Sequence, residues 1–183
     1  MVDNRKLNIV DESGNIIGED TRENIHKNGL LHREIHVWFY TPTSEIIFQH
    51  RAKDKDTYPD LLDATVGGHV EIGFDYEETA LQESQEETGT SIGNSNFIFL
   101  QMTRDKTFDI VTNKTNNAIC AVYVYRYDRK IDDLKVEKGK AIGFELWPLE
   151  KLFNISDEDK KRFIPYTFEK QGLEIFIKIK KLI

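Results

Sequence analysis

Gly67-Gly68-His69-Val70-Glu71-Ile72-Gly73-Phe74-Asp75-Tyr76-Glu77-Glu78-Thr79-Ala80-Leu81-Gln82-Glu83-Ser84-Gln85-Glu86-Glu87-Thr88-Gly89 is the stretch whose reading decides the fold. Its second half predicts a helix, because Asp75 can cap the start, Glu78 stands three residues on as in a capping box, and Gly89 follows as a C-terminal stop. Glu83, Glu86 and Glu87 then fall at i, i+3 and i+4 and project from one face. Three carboxylates on one face repel, which a solvated structural helix tolerates. Beside a glycine-rich loop they also form a cage for hard divalent cations that prefer oxygen ligands. Mg²⁺ or Mn²⁺ bound there would relieve the repulsion and supply activated water or neutralise diphosphate oxygens. The glycines let the loop backbone pack tightly beside the helix and approach a ligand.

Upstream, Leu7 to Val10 and Ile16-Ile17 flank the turn Asp11-Glu12-Ser13-Gly14-Asn15, a hairpin pattern. A second hairpin is expected from Ile35 to Tyr40 and Ile46 to Gln49 around Thr41-Pro42-Thr43-Ser44-Glu45. Lys53 to Asp60 is too hydrophilic for core and reads as a surface loop closed by Pro59. Downstream, Phe97 to Met102, Ala118 to Tyr127 and Ala141 to Trp147 read as strands, with Thr112 to Asn117 as a polar turn. Ser156 caps an acidic first turn ahead of Lys160 and Lys161. Phe168 to Ile183 reads as a last amphipathic helix, interrupted or kinked near Gly172, whose apolar face packs on the sheet in preference to pairing two chains as a homodimer. These elements make one α/β domain of the α+β kind over residues 1–183 with a mixed or antiparallel sheet.

The chain of 183 residues carries 32 acidic against 25 basic residues, a formal charge of −7, which argues against a non-specific grip on nucleic acid or on an anionic membrane. One cysteine, Cys120, lies in an apolar run and reads as a buried small hydrophobe. No intramolecular disulfide is available to it, so a cytoplasmic location is expected. Neither a signal peptide nor an apolar span of membrane length is read from the chain.

With the spacing laid out, Gly68, Glu83, Glu86, Glu87 and Gly89 resemble the signature of the Nudix (MutT-like) hydrolase superfamily, while Phe74, Gln82, Ser84 and Thr90 depart from it. The resemblance implies a Nudix fold, a mixed β-sheet sandwiched between helices, here with an N-terminal β-hairpin extension over 1–32, a core over 33–155 and C-terminal helices over 156–183. It also implies a Mg²⁺- or Mn²⁺-dependent pyrophosphohydrolase that cleaves the diphosphate linkage of a nucleoside diphosphate derivative or other small organic diphosphate. Glu83, Glu86, Glu87 and His69 are its expected metal ligands, Glu86 and Glu83 its expected catalytic carboxylates, and Glu137 a substitute general base, since Lys140 stands where the family most often has a glutamate.

Asp11-Glu12, Arg22, His26, Gly29 to Arg33, His36-Val37-Trp38, Arg51, Lys55, Pro59 and Gly68-His69 further resemble the subgroup related to type I isopentenyl-diphosphate isomerase. That likeness implies a second metal site on His26, His32 and His69, with Arg51, Lys55 and Gly68 as substrate-binding residues. Each has a blander reading: the histidines as structural hydrogen-bonders, among which His36 stays, and Arg51, Lys53 and Lys55 as a solvated charge run. Isomerisation is disfavoured because the isomerase's acid/base cysteine is replaced by Gly67 and its strand glutamates by Asn116-Asn117-Ala118. Isomerase-like chemistry and a non-catalytic ligand-binding module are the alternatives.

Overall fold

Aromatic and β-branched residues alternate through 32–40 and 114–126, and these segments form the centre of the sheet. The computed structural model describes residues 5–55, 57–93 and 96–183; residues 1–4, Asp56, Asn94 and Ser95 lie outside the described residues, and with them the start of the polar N-terminal run and one charge of the 53–60 loop. In chain order the elements are β1 (Lys6–Val10), β2 (Ile16–Thr21), α1 (Arg22–Asn28), β3 (His32–Tyr40), β4 (Glu45–Arg51), β5 (Leu62–Asp63), β6 (Val66–His69), α2 (Tyr76–Thr88), β7 (Phe97–Asp109), β8 (Lys114–Arg126), β9 (Ala141–Pro148), α3 (Leu149–Phe153), α4 (Asp157–Lys160) and α5 (Lys170–Lys180).

The main sheet runs β5-β4-β3-β8-β7, with β6 added to β3 and β9 to β4, while β1 and β2 form a separate two-stranded ribbon. The sheet is mixed. β3 and β8 are parallel from His32↔Ala118 to Tyr40↔Arg126, and the other pairings are antiparallel. β3 changes partner along one edge: its first half pairs with β6, setting His36 opposite Gly67, and its last two residues pair with β4.

Period-2 alternation along β3 sends successive side chains to opposite faces. Trp38 joins Phe48, Phe163 and Phe176 in one core, under α5. Ile35, Val37 and Phe39 join Val66, Val70 and Ala80 in the other, under α2. Ile175, Phe176 and Ile179 are fully buried, so the apolar face of α5 packs on its own sheet. Among the described residues no helix is long and apolar enough to cross a membrane.

Three expectations are corrected. The N-terminal region is more than a hairpin, since Thr21 caps α1 through Asn24 N and Gly29 ends it at φ +61. Lys114 to Asn117 are strand rather than turn, because cross-strand pairing carries β7 and β8 out to Asp109↔Lys114. Gly172 marks no interruption. It lies inside α5, where a Cβ would stand 2.6 Å from Thr167 C and Tyr166 O.

Candidate active site

α2 holds its carboxylates firmly because both ends are capped. Asp75 accepts from Glu78 N at 2.8 Å, Glu78 returns the bond from Asp75 N at 3.1 Å, and Gly89 closes the helix in the left-handed region at φ +67. Glu87, 2 % exposed, accepts from Gln49 Nε2 at 3.0 Å and from Gly67 N at 3.3 Å. Its other oxygen accepts from Lys140 Nζ at 3.0 Å, and the same ammonium reaches Glu83 Oε2 at 3.1 Å and Glu137 Oε2 at 3.6 Å. Glu86 is exposed on the outer side and is held by Gln82 Nε2 at 2.9 Å. Gln82 thus braces a box carboxylate, whereas Phe74 supplies no carboxylate and lines, partly exposed, the recess that Glu83 and Glu86 share.

Burial pushes the Glu83 carboxyl up to about 7, against the pull of Lys140 and with the push of Glu87 and Glu86. Burial would lower the Lys140 ammonium, but Glu87 and Glu83 raise it above its ordinary value. Between the ordinary carboxyl value of 4.5 and about 7, folded Glu83 is protonated while unfolded Glu83 is ionised. The folded chain therefore binds more protons there, and its stability falls as pH rises across that window. Glu83→Gln should remove about 1 to 3 kcal/mol of this pH dependence, read by urea unfolding of metal-free protein at pH 5 and pH 7.5. An unchanged slope would refute the assignment.

Gly68 is a glycine for steric reasons. A Cβ would lie 2.7 Å from Glu83 Cδ and Cγ, so Gly68→Ala must push the carboxylate off its position. The expected result is about a tenfold loss of Mn²⁺ affinity, measured by electron paramagnetic resonance, as when a neighbour that orients a ligand is disturbed. Unchanged affinity would show that Glu83 does not take part.

A second cluster flanks the first. His26 from α1, His32 from β3 and His69 from β6 bring one ring nitrogen each within 4.8 Å of one another. His26 Nε2 lies 2.9 Å from His69 Nε2, and Glu34 Oε1 lies 3.3 Å from both His32 Nε2 and His69 Nε2. Asn116 Nδ2 donates to the other Glu34 oxygen at 2.9 Å. Burial drives His69 well below its usual value, opposed by Glu34 and reinforced by His32. It also disfavours the Glu34 charge, yet the hydrogen bond from His32 and the imidazoles around it hold Glu34 well below the carboxylate range. A neutral imidazole is the form that ligates a metal.

Both clusters open on a cleft of about 740 Å³ that Gly67, Gly68, Glu83, Glu87 and His69 share with His36, Arg51, Lys55, Asp63 and Tyr166. Glu86 and Glu137 face an adjoining recess of about 280 Å³, together with Glu83, His69 and Lys140. Arg51 lines the cleft with its guanidinium directed at the chain itself: to Tyr58 O at 3.1 Å, Asp63 Oδ2 at 2.9 Å, and Thr57 O and Oγ1 at 2.8 and 3.1 Å. It braces the 57–58 backbone rather than presenting a bare fork to a diphosphate. Lys55 reaches the same wall.

Among the lining residues that sequence reasoning missed are Tyr166, Asp63 and His36. Tyr166 Oη donates to Asp63 Oδ1 at 2.9 Å, and its ring stacks on His36, 5.3 Å between centroids, with His36 Nδ1 3.3 Å from the hydroxyl. His36 therefore lines the cleft, although its place in a strand marks it as structural. Cys120 is buried and its thiol is driven well up, so it supplies no thiolate.

A model of the Nudix domain matches residues 30–167, the span that holds the box carboxylates and, of the histidine cluster, His32 and His69. The chain belongs to the Nudix family. A Nudix hydrolase of Clostridium acetobutylicum is 26 % identical over 154 residues, covering 82 % of this chain and 73 % of that protein. Nudix hydrolase 3 of Arabidopsis thaliana is 25 % identical over 178 residues, 93 % of this chain but 22 % of the plant protein, so the chain spans about a fifth of that relative. A crystal structure of a Deinococcus radiodurans protein superposes with a TM-score of 0.71 at 20 % identity, covering 95 % of this chain and 98 % of that one, which bears on the Nudix fold alone. Nudix hydrolases generally use divalent metals such as Mg²⁺ or Mn²⁺. The donor set of the Nudix box here fits such an ion: Glu83 and Glu87 converge on one cation position, marked by the Lys140 ammonium.

Proposed function

We propose that the chain is a Mg²⁺- or Mn²⁺-dependent pyrophosphohydrolase that cleaves the diphosphate linkage of a nucleoside diphosphate derivative or another small organic diphosphate. The observation that carries this reading is the convergence of Glu83 and Glu87 on a shared cation position beside Gly67 and Gly68, at the wall of the 740 Å³ cleft.

Glu86 and Glu83 would hold the ion of the box, with Glu87 behind them fixing the inner charge against Lys140, and His26, His32 and His69 would hold a second one. Bound there, such ions supply charge neutralisation on the diphosphate oxygens and a more acidic water. The rest falls to the chain. Gly67 and Gly68 let the loop backbone approach a diphosphate beside α2, Lys55 supplies a point charge for phosphate oxygens, and Glu137 or Glu86 takes the proton of the attacking water in the outer recess. A cytoplasmic location agrees with the single buried thiol.

The isomerase-like alternative has little to stand on. Gly67 carries no acid, and Asn116, where that subgroup has a glutamate, serves as a donor to Glu34. The test is phosphorus NMR after incubation with Mg²⁺ and then Mn²⁺ against nucleoside diphosphate sugars, ADP-ribose, thiamine diphosphate and isopentenyl diphosphate. Conversion of one compound to phosphomonoesters is expected. Allylic isomerisation would establish the alternative, and binding without turnover would make the chain a ligand-binding module.

A further inference from the structure

Lys140 is placed with care for a surface cation. Gly139, at φ +84, turns the chain immediately before it, and the Lys140 backbone is pinned on both sides, its N–H donating to Glu137 O at 3.1 Å and its carbonyl accepting from Ala52 N at 3.0 Å. The side chain, 24 % exposed, then reaches inward to the box carboxylates. Its ammonium touches one oxygen of Glu83 at 3.1 Å and one of Glu87 at 3.0 Å, where Glu87 is otherwise enclosed by Gln49 and the Gly67 amide. Glu86 is held by Gln82 instead and lines the outer recess with Glu83, Glu137 and Lys140 itself.

We propose that Lys140 is a built-in replacement for a divalent ion: its ammonium fills the inner cation position between Glu83 and Glu87, so the chain binds one ion fewer than its carboxylates would otherwise take. A buried Glu87 needs a positive partner, since leaving a carboxylate enclosed and unpaired is costly. A tethered ammonium meets that need permanently and contributes one positive charge where a free ion would contribute two. The remaining ion is left to the outer recess, on Glu86 and the outward side of Glu83. The inference rests on the metal-site reading above, but it is tested by counting ions and needs no substrate, so failure of the hydrolase assignment leaves the test intact.

The experiment is Mn²⁺ titration followed by electron paramagnetic resonance on wild type, Lys140→Met, Lys140→Gln and Lys140→Arg, with circular dichroism to show that each is folded. Any ion held by the histidine cluster enters all four counts equally. The result expected is one additional Mn²⁺ per chain in Lys140→Met and Lys140→Gln, and the wild-type count in Lys140→Arg, which keeps the charge. Lys140→Gln decides the matter by itself if Lys140→Met does not fold. Equal counts in wild type and the neutral variants overturn the proposal.

Discussion

Glu87→Gln, under the proposed hydrolysis, lowers turnover by on the order of 10²- to 10³-fold, the scale expected when a preorganised charge at a reacting centre is removed. The carboxylate has two oxygens and uses both, one toward Lys140 and one toward Gln49 and the Gly67 amide. An amide offers a single acceptor, so one side loses its partner and faces an N–H instead. If the oxygen stays toward Lys140, Gln49 and Gly67 are left with unmet donors; if it turns, Lys140 loses half its hold. Either arrangement costs about 1 to 3 kcal/mol at this buried position. The variant should therefore melt earlier in urea while remaining folded, and initial rates measured well below its transition report the chemical loss alone. A folded variant with wild-type rates would remove Glu87 from the active machinery and with it the box as the seat of reaction.

Gly172→Ala gives the largest stability loss expected in the chain outside the two cores. Alanine improves helix propensity over glycine by roughly 1 kcal/mol. That gain is overrun, since the new methyl would stand 2.6 Å from the backbone atoms Thr167 C and Tyr166 O, neither of which can rotate away. α5 must lift off the 165–168 turn, and it carries Ile175, Phe176 and Ile179 into the core. A net loss of about 2 to 4 kcal/mol follows, at the upper end of overpacking costs because the obstacle is backbone. Gly93→Ala is the control, with no neighbour among the described residues within 4 Å of its added methyl, and should be nearly neutral. Urea unfolding of the two variants side by side checks this, and equal midpoints would contradict it. The same displacement disturbs Tyr166 and its bond to Asp63, so Gly172→Ala also marks how far the cleft depends on the C-terminal segment.

What was legible in the sequence was local. The cap at Asp75, the stop at Gly89 and the i, i+3, i+4 carboxylates are decided within fifteen residues, and α2 formed where they place it. The paired flanks of Thr41 to Glu45 likewise fixed the β3–β4 hairpin. α1 escaped notice because seven residues are too short for apolar periodicity to show, although Thr21 and Gly29 were in place as cap and stop. The polar residues Thr115 to Asn117 carry little strand signal of their own and are strand because Lys106 to Phe108 pair with them. Side-chain roles settled by distant partners were the least legible. Lys140 is an ordinary lysine until β9 sets it beside α2. His36 is one strand residue among nine until Tyr166, 130 positions later, closes over it.

The parallel pairing of β3 with β8 fixes the order in which this molecule can come into being. The box and its helix lie between the two strands in the chain, yet β3 gains its central neighbour only when residues 118–126 arrive. On a ribosome, a nascent chain that has already exposed Gly67 to Gly89 would have the capped helix and no site. Lys140 and Tyr166 must still emerge, and closure of so long a loop is slow. The walls of the cleft should therefore be completed late in synthesis, once the tunnel has released the chain past Tyr166.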